Sequence, residues 1–191
     1  MRRIAGVDEA GRGPWAGPVV AAAVILRTSL LPVRIDDSKR LTRAQREQAF
    51  PVILDHAEVG FGIACPEEID QHNILQATLL AMQRAIRDLP SDPDLVLVDG
   101  SQVPTLTIPC WPIVQGDRRS YVIGCASIAA KVLRDHLMAF YHDLYPHYAF
   151  NRHKGYGTFL HAARLRQFGP SVLHRRTFRP VREALVQPLP A

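Results

Sequence analysis

Short apolar runs alternate along this chain with longer segments of helical periodicity, and this alternation restricts the fold more than any other feature. Apolar runs that stop at a glycine or an acid are typical of buried strands. Such runs occupy residues 3–8, 18–26, 58–64, 94–100 and 112–117. Strands mixed with helices predict an α/β domain, in which the first two runs pair as a hairpin around a glycine turn.

Helical spacing is clearest at residues 73–89 and 127–145, where apolar side chains recur three and four positions apart. Another helix should begin at Thr42, because Thr42 and Gln45 form a capping-box pattern. Pro51 lacks an N–H group, so we expect that helix to end or kink directly before it.

The chain becomes turn-rich and basic beyond Pro146, and a helix should resume near Phe159. We therefore expect an α/β domain over residues 1–145 and a small helical C-terminal segment over residues 146–191. Both would form one compact unit, because 191 residues are enough for one sizeable core.

Cysteine usage and hydropathy predict a cytoplasmic protein. Cys65, Cys110 and Cys125 form no CxxC pair and are odd in number, which favours reduced thiols. The apolar run at 18–26 is shorter than the roughly 20 residues that a membrane-spanning helix needs. It also follows an acidic pair, unlike a signal peptide, so we expect no association with a membrane.

Charge is distributed unevenly within the net value of +5. From residue 151 onward, eight basic residues face one acid, a net charge of +7, whereas residues 1–150 hold 15 basic and 17 acidic residues, a net charge of −2. This asymmetry predicts a body that binds cations and a segment that binds a polyanion. A solvated basic surface is the alternative.

Four acids end apolar runs beside glycine-bearing turns: Asp8, Glu9, Asp99 and Asp117. If the strands are neighbours, the carboxylates cluster, and a divalent cation relieves their repulsion. Carboxylate oxygens suit Mg²⁺ or Mn²⁺, and two such ions can support phosphodiester hydrolysis. Alternatively, each acid caps a turn. Because strand side chains alternate between faces, we expect the strand to break at the adjacent Asp8 and Glu9.

Eight stretches, in order and over nearly the whole chain, resemble ribonuclease HII, the type 2 ribonuclease H of bacteria. They are "GVDEAGRGPWAGPVVAAAVIL", "DSKRLTRAQRE", "NILQATLLAMQRAI", "VDG", "GD", "ASIAAKVLRD", "HKGYGT" and "GPSVLHRRTF". The resemblance implies a ribonuclease H-like fold, a central mixed β-sheet flanked by helices with a small helical C-terminal appendage. It implies a metal-dependent endoribonuclease that cuts the RNA strand of RNA/DNA hybrids. It also implies cutting on the 5′ side of single ribonucleotides in duplex DNA, which leaves 3′-hydroxyl and 5′-phosphate ends.

The same resemblance assigns site residues. Asp8, Glu9, Asp99 and Asp117 would be the catalytic metal ligands for two Mn²⁺ or Mg²⁺ ions. Gly11, Arg12 and Gly13 would read the ribose 2′-hydroxyl through their backbone, which is independent of the base. Tyr156 would stack on the sugar at the RNA–DNA junction, and Lys39 would contact phosphate.

Other polar residues carry weaker assignments. Lys131, Arg134 and Asp135 either support the site or form a surface ion-pair set at helical spacing. The histidines of the basic segment are expected to be exposed beside the nucleic acid, with no catalytic role: His153, His161 and His174. The chain departs from the family pattern at Trp15, which could cover the glycine turn, and at Gln115, where the family usually has lysine.

Two alternative functions remain at this point: a ribonuclease HIII-like hybrid nuclease and a non-catalytic hybrid-binding module. The expected partners are RNA/DNA hybrids and DNA duplexes that contain ribonucleotides. We expect a monomer and no protein partner, because residues 181–191 show no persuasive sliding-clamp peptide.

Overall fold

A five-stranded mixed sheet organises the computed structural model, which describes residues 2–186. The strands are β1 Ile4–Ala10, β2 Val19–Leu26, β3 Ala57–Ala64, β4 Leu95–Asp99 and β5 Cys110–Ile113. The helices are α1 Arg43–His56, α2 Pro66–Arg87, α3 Gly116–Arg119, α4 Tyr121–Leu144, α5 Phe150–His153, α6 Phe159–Phe168 and α7 Arg179–Val186.

The strand order is β3-β2-β1-β4-β5, with β1 in the centre. β1 pairs antiparallel with β2, as the hairpin prediction requires, and parallel with β4, which itself pairs parallel with β5. β2 is buried along almost its whole length, which explains why its run is continuously apolar. The predicted α/β class and the mixed sheet are confirmed.

Helices cover both faces of this sheet. α2 packs on one face, where Ala81 and Met82 join Val7 and Val98 in the main core. α4 and α1 cover the other face, where Ile128 packs with Ile53. The middle of the central strand is therefore buried on both sides, and the strand becomes accessible to solvent at its ends.

Three helix boundaries differ from the sequence prediction. α1 continues past Pro51 to His56, because Ile53 and its neighbours pack into the second core and outweigh the lost hydrogen bond. α2 begins at Pro66, and the predicted start at Asn73 is a kink with φ of 67°. α4 begins at Tyr121, six residues before the predicted start.

The C-terminal segment is helical, as expected, and contains a 3₁₀ turn at Pro146–Tyr148 followed by α5, α6 and α7. It shares an apolar cluster with the body, in which Phe150 and Leu173 pack against Ala16 and Met138. Division of the chain at residue 145 stays a prediction. No helix within residues 2–186 is long and apolar enough to cross a membrane.

Candidate active site

The carboxyl ends of β1 and β4 bring the predicted acids to one end of the sheet. β1 runs unbroken through Asp8 and Glu9, which lie opposite Ala22 and Ala21 of β2. The expected strand break is therefore wrong. Pairing of β1 with β4 stops one step earlier, at Val7 and Val98, so Asp99 ends β4 beside Asp8.

Asp8 and Glu9 face opposite sides of β1, as side chains on a regular strand must. Asp8 is buried on the α4 side, where the nearby Ser127 hydroxyl acts to lower the pKa of its carboxylate. The Ser127 and Ser38 hydroxyl oxygens are 2.9 Å apart, so both serines belong to this buried polar chain. Glu9 reaches toward α2, where it lines a groove with Leu75 and Met82.

Asp99 and Asp117 are joined through the backbone of α3. The Gly116 N–H donates to Oδ1 of Asp99 at 2.6 Å, and Asp117 lies in the first turn of α3. The strand before it stops at Ile113, sooner than the apolar pattern predicts. Gln115 has a φ of 56°, a left-handed conformation that turns the chain sharply into α3.

Repulsion and burial raise the pKa values of three of these acids. Burial is the largest cause for Asp8, whose pKa lies well above its usual range, and the charges of Glu9 and Asp99 raise it further. Burial also raises the pKa of Glu9, although Arg12 opposes this effect. The pKa of Asp117 is raised by burial and then by repulsion from Asp37 and Asp99.

This donor set suits a hard divalent cation, because it consists of carboxylate oxygens whose charges are poorly compensated by the protein. No group of three or more His, Cys, Asp or Glu side chains among the described residues is arranged closely enough to hold a metal ion. The four acids are therefore neighbours, but their side chains are not arranged as a complete set of metal ligands.

One cleft collects most of the other predicted site residues. Its walls are formed by Asp8, Glu9, Gly11, Arg12, Gly13, Ser38, Lys39, Ser127, Lys131 and Tyr156. Asp99 lines the adjoining groove together with Glu9 and Arg12, whereas Asp117 lines neither depression. Arg12 forms an ion pair with Glu9, with 3.5 Å between Nη1 and Oε1, at the boundary between the two depressions.

Lys39 is exposed on a loop that a buried acid stabilises. Asp37 accepts the Lys39 N–H at 2.9 Å and forms a two-pronged ion pair with Arg118, at 2.9 and 3.0 Å. Burial acts to raise the pKa of Asp37, but these donors outweigh it and the net shift is downward. Because Arg118 follows Asp117 in α3, this ion pair connects the Lys39 loop to the fourth acid.

Tyr156 lies on the loop between α5 and α6, with its ring over Gly13 of the Gly-Arg-Gly turn. Tyr156 is 43% exposed, so part of its side chain remains available to a ligand. Trp15 packs against Gly157 and against the ring of His161, with 5.3 Å between ring centroids and 32° between the ring planes. Trp15 therefore supports both the Tyr156 loop and the Gly-Arg-Gly turn, which Trp15 follows in the sequence.

The predicted exposure of three histidines is wrong, because His153, His161 and His174 are all buried. His153 Nδ1 accepts the Gly155 N–H at 3.1 Å, so its Nε2 carries the proton and donates to the Tyr148 carbonyl. The rings of His153 and His161 stack with their centroids 4.2 Å apart, and the ring of His174 is tilted against that of His161, with centroids 5.2 Å apart.

A second tautomer assignment follows from the remaining contacts. His174 Nδ1 accepts the Ser171 N–H at 3.0 Å, so its Nε2–H donates to Nε2 of His161 at 3.1 Å. His161 then donates from Nδ1 to the Tyr156 carbonyl at 3.0 Å. Each ring is neutral in this arrangement, and the chain of hydrogen bonds ends on the backbone of Tyr156.

The helical set at Lys131, Arg134 and Asp135 divides into two roles. Lys131 and Asp135 form the predicted ion pair, at 2.7 Å between Nζ and Oδ1. Arg134 points inward and is fully buried, so it is no part of a surface set. Sequence reasoning also missed Arg175, which is fully buried beneath the Gly-Arg-Gly turn. Nothing in the local sequence distinguishes Arg175 from the other basic residues around it.

Comparison with known proteins decides the family. A family model described as Ribonuclease HII matches residues 5–181. The ribonuclease HII of Chlamydia muridarum is 53% identical over 185 residues, which cover 96% of this chain and 85% of that protein. The chain belongs to the ribonuclease HII family. It is therefore a hydrolase, a ribonuclease H endonuclease that acts on RNA/DNA hybrids, and the non-catalytic alternative is set aside.

Solved structures agree on the fold. The ribonuclease H2 of Pyrococcus horikoshii has a TM-score of 0.80 at 25% identity and covers 95% of this chain and 96% of its own. A PCNA:RNase HII complex from Archaeoglobus fulgidus has a TM-score of 0.72 at 20% identity, over 93% and 95% of the two chains. Bst-RNase HIII in complex with Mn²⁺ has a TM-score of 0.67 at 17% identity, over 96% and 69%.

Proposed function

We propose that this ribonuclease HII family member cuts on the 5′ side of a ribonucleotide, including a single ribonucleotide embedded in duplex DNA. The ends would be a 3′-hydroxyl and a 5′-phosphate. The carrying observation is that the Gly-Arg-Gly turn, Tyr156 and two of the acids line one cleft. The turn that would contact the 2′-hydroxyl, the ring that would stack on the sugar and the acids that would support hydrolysis lie close together. They would thus act on the same RNA–DNA junction.

Asp8, Glu9, Asp99 and Asp117 are proposed to hold two divalent ions, Mg²⁺ or Mn²⁺. Their oxygen-only chemistry and raised pKa values support this role, as does the Mn²⁺ complex of Bst-RNase HIII. When bound, two such ions activate a water and stabilise the leaving oxygen. The chain itself would orient Asp8 through Ser127 and bring Asp117 to the phosphate by way of α3.

The remaining residues would bind and orient the duplex. Gly11, Arg12 and Gly13 would contact the 2′-hydroxyl, which is both a donor and an acceptor. Tyr156 would stack on the following deoxyribose, and Lys39 would contact phosphate. The basic residues of the segment 146–191 would hold the backbone of the nucleic acid, without Arg175, which is buried.

The relatives also bear on whether this protein binds a protein partner in addition to nucleic acid. The Archaeoglobus structure contains a protein partner, so the relatives do not support the expectation that this protein acts without one. Residues 187–191 of the tail on which that expectation depended lie outside the described residues. A monomeric state and a cytoplasmic location stay predictions.

The test is cleavage of a DNA duplex that holds one ribonucleotide, with Mg²⁺, Mn²⁺ or chelator, beside an all-DNA duplex and an RNA/DNA hybrid. We expect metal-dependent cutting 5′ to the ribonucleotide and none in the all-DNA control. Asp99→Asn should abolish most turnover, whereas Asp94→Asn, at the opposite end of β4, should not. Cutting of the hybrid alone would refute the proposal and favour the ribonuclease HIII-like alternative.

A further inference from the structure

Two arginines lie completely buried beneath the Gly-Arg-Gly turn. Arg134 comes from α4 and Arg175 from the segment between α6 and α7, and neither side chain reaches solvent. Within residues 2–186, no carboxylate forms an ion pair with either one. A buried, unpaired guanidinium is costly, so a fold that keeps two of them must use their hydrogen bonds.

Arg175 binds the backbone of the turn itself. Its guanidinium donates to the carbonyl oxygens of Gly11 at 2.5 Å, Arg12 at 2.8 Å and Gly17 at 3.0 Å. A trans peptide unit directs its C=O and the following N–H to opposite sides. Drawing the Gly11 and Arg12 carbonyls inward therefore turns the N–H groups of Arg12 and Gly13 away from Arg175, toward the cleft that these residues line.

Arg134 connects this turn to the Tyr156 loop. It donates to the carbonyls of Pro18 at 2.9 Å and Ala16 at 3.3 Å on one side, and Lys154 at 3.0 Å on the other. Its Cζ lies 5.8 Å from the centroid of the Tyr156 ring. One rigid planar group thus spans both elements.

Two glycines in this arrangement are packed so closely that neither position has room for a side chain. A methyl group on Gly11 would collide with Nε of Arg134, and a methyl group on Gly155 would collide with the Ala16 carbonyl. Both glycines also have positive φ values, 99° and 83°. The Gly11 backbone therefore lies directly against Arg134, and the Gly155 backbone lies directly against Ala16, whose carbonyl Arg134 binds.

We propose that Arg134 and Arg175 are positioning residues that fix the Gly-Arg-Gly turn relative to Tyr156, and so set the preference for an RNA–DNA junction over continuous hybrid. This inference rests on the proposed function of the turn and of Tyr156. Lysine cannot replace either residue, because a single ammonium group lacks the planar fork that reaches three carbonyls.

The experiment compares kcat/KM on a single-ribonucleotide duplex with kcat/KM on an RNA/DNA hybrid, for the full chain and for Arg175→Lys and Arg134→Lys. We expect the ratio of the two values to fall about tenfold or more, since a misplacement of about 1 Å can cost on the order of 100-fold in rate. Arg175→Gln, which removes the buried charge and keeps a donor, provides a second variant if lysine prevents folding.

A control variant away from the cleft separates positioning from general damage. Arg84→Gln on α2 loses a hydrogen bond to the Ile63 carbonyl and an ion pair with Glu68, away from the cleft. It should lower the melting temperature and leave the substrate ratio unchanged. If the Arg175 variants behave in the same way, their role is merely structural and the proposal is refuted.

Tyr156→Ala distinguishes failure of this inference from failure of the proposed function. If Tyr156→Ala changes the ratio and the arginine variants do not, the positioning role alone is wrong. If the unaltered protein does not cut at a single ribonucleotide, or Tyr156→Ala leaves the ratio unchanged, the proposed function of the reading elements is wrong and the inference falls with it.

Discussion

Acidification should destabilise this protein through the buried pair His161 and His174. Burial, the largest cause, together with neighbouring histidines, lowers the pKa of His161 to about 4 and that of His174 to about 3, from an ordinary value of 6.5. Protonation of His161 at Nε2 would set two N–H groups against each other across 3.1 Å, and protonation of His174 at Nδ1 would set its N–H against that of Ser171 across 3.0 Å. Both rings therefore resist protonation until the surrounding structure opens.

The magnitude follows from the difference between folded and unfolded states. Above pH 6.5 both states hold neutral rings, and this stability is fully present. As the pH falls below 6.5, the unfolded chain takes up protons that the folded one refuses, down to about pH 4 for His161 and about pH 3 for His174. At pH 5 each histidine should cost about 2 kcal/mol of unfolding free energy.

Urea unfolding at pH 7.5 and pH 5.0 measures this cost. His174→Gln keeps an acceptor and a donor but does not titrate, so its loss of stability between the two pH values should be smaller by about 2 kcal/mol. His136→Gln is the control, because His136 is exposed and pairs with Glu47 at the surface. Equal losses in the original protein and in His174→Gln would refute the reasoning.

Three further substitutions test the packing, each by thermal or urea unfolding. Gly62→Ala should cost about 1–3 kcal/mol or more, because its methyl group would collide with the Ala81 carbonyl of α2; unchanged stability would contradict this packing. Thr42→Ala should cost about 1 kcal/mol by removing the capping box with Gln45, and Thr42→Ser should restore most of it. Phe150→Ala should cost about 3–5 kcal/mol, since the ring is fully buried, and a loss below about 1 kcal/mol would be inconsistent with that burial.

Local patterns predicted the elements of the fold well and their boundaries less well. The capping box marked the start of α1 correctly, because its two hydrogen bonds are made within four residues. Pro51 did not end that helix, since the free energy of packing Ile53 into the core is invisible in the local sequence. The helix predicted from Asn73 exists, but α2 extends seven residues earlier.

The positions of some polar residues could be predicted from the sequence, and those of others could not. Asp8 and Asp99 could be proposed as neighbours because parallel strands bring their carboxyl ends together. The burial of His161 and Arg175 could not be predicted. A basic residue on the surface and a basic residue whose hydrogen bonds are made to distant carbonyls look the same in the sequence. Their partners lie 5 to 164 positions away along the chain, with no periodic signal.

The sequence by itself determined the α/β class and the family and singled out the four acids as candidate metal ligands, since each depends on residue type, local spacing or ordered motifs. Only the tertiary structure decided that Asp8 and Glu9 face opposite sides of one unbroken strand, and that Arg134 and Arg175 turn inward. The physical reason is that burial of a polar group depends on hydrogen-bond partners brought together by folding, which no local pattern records.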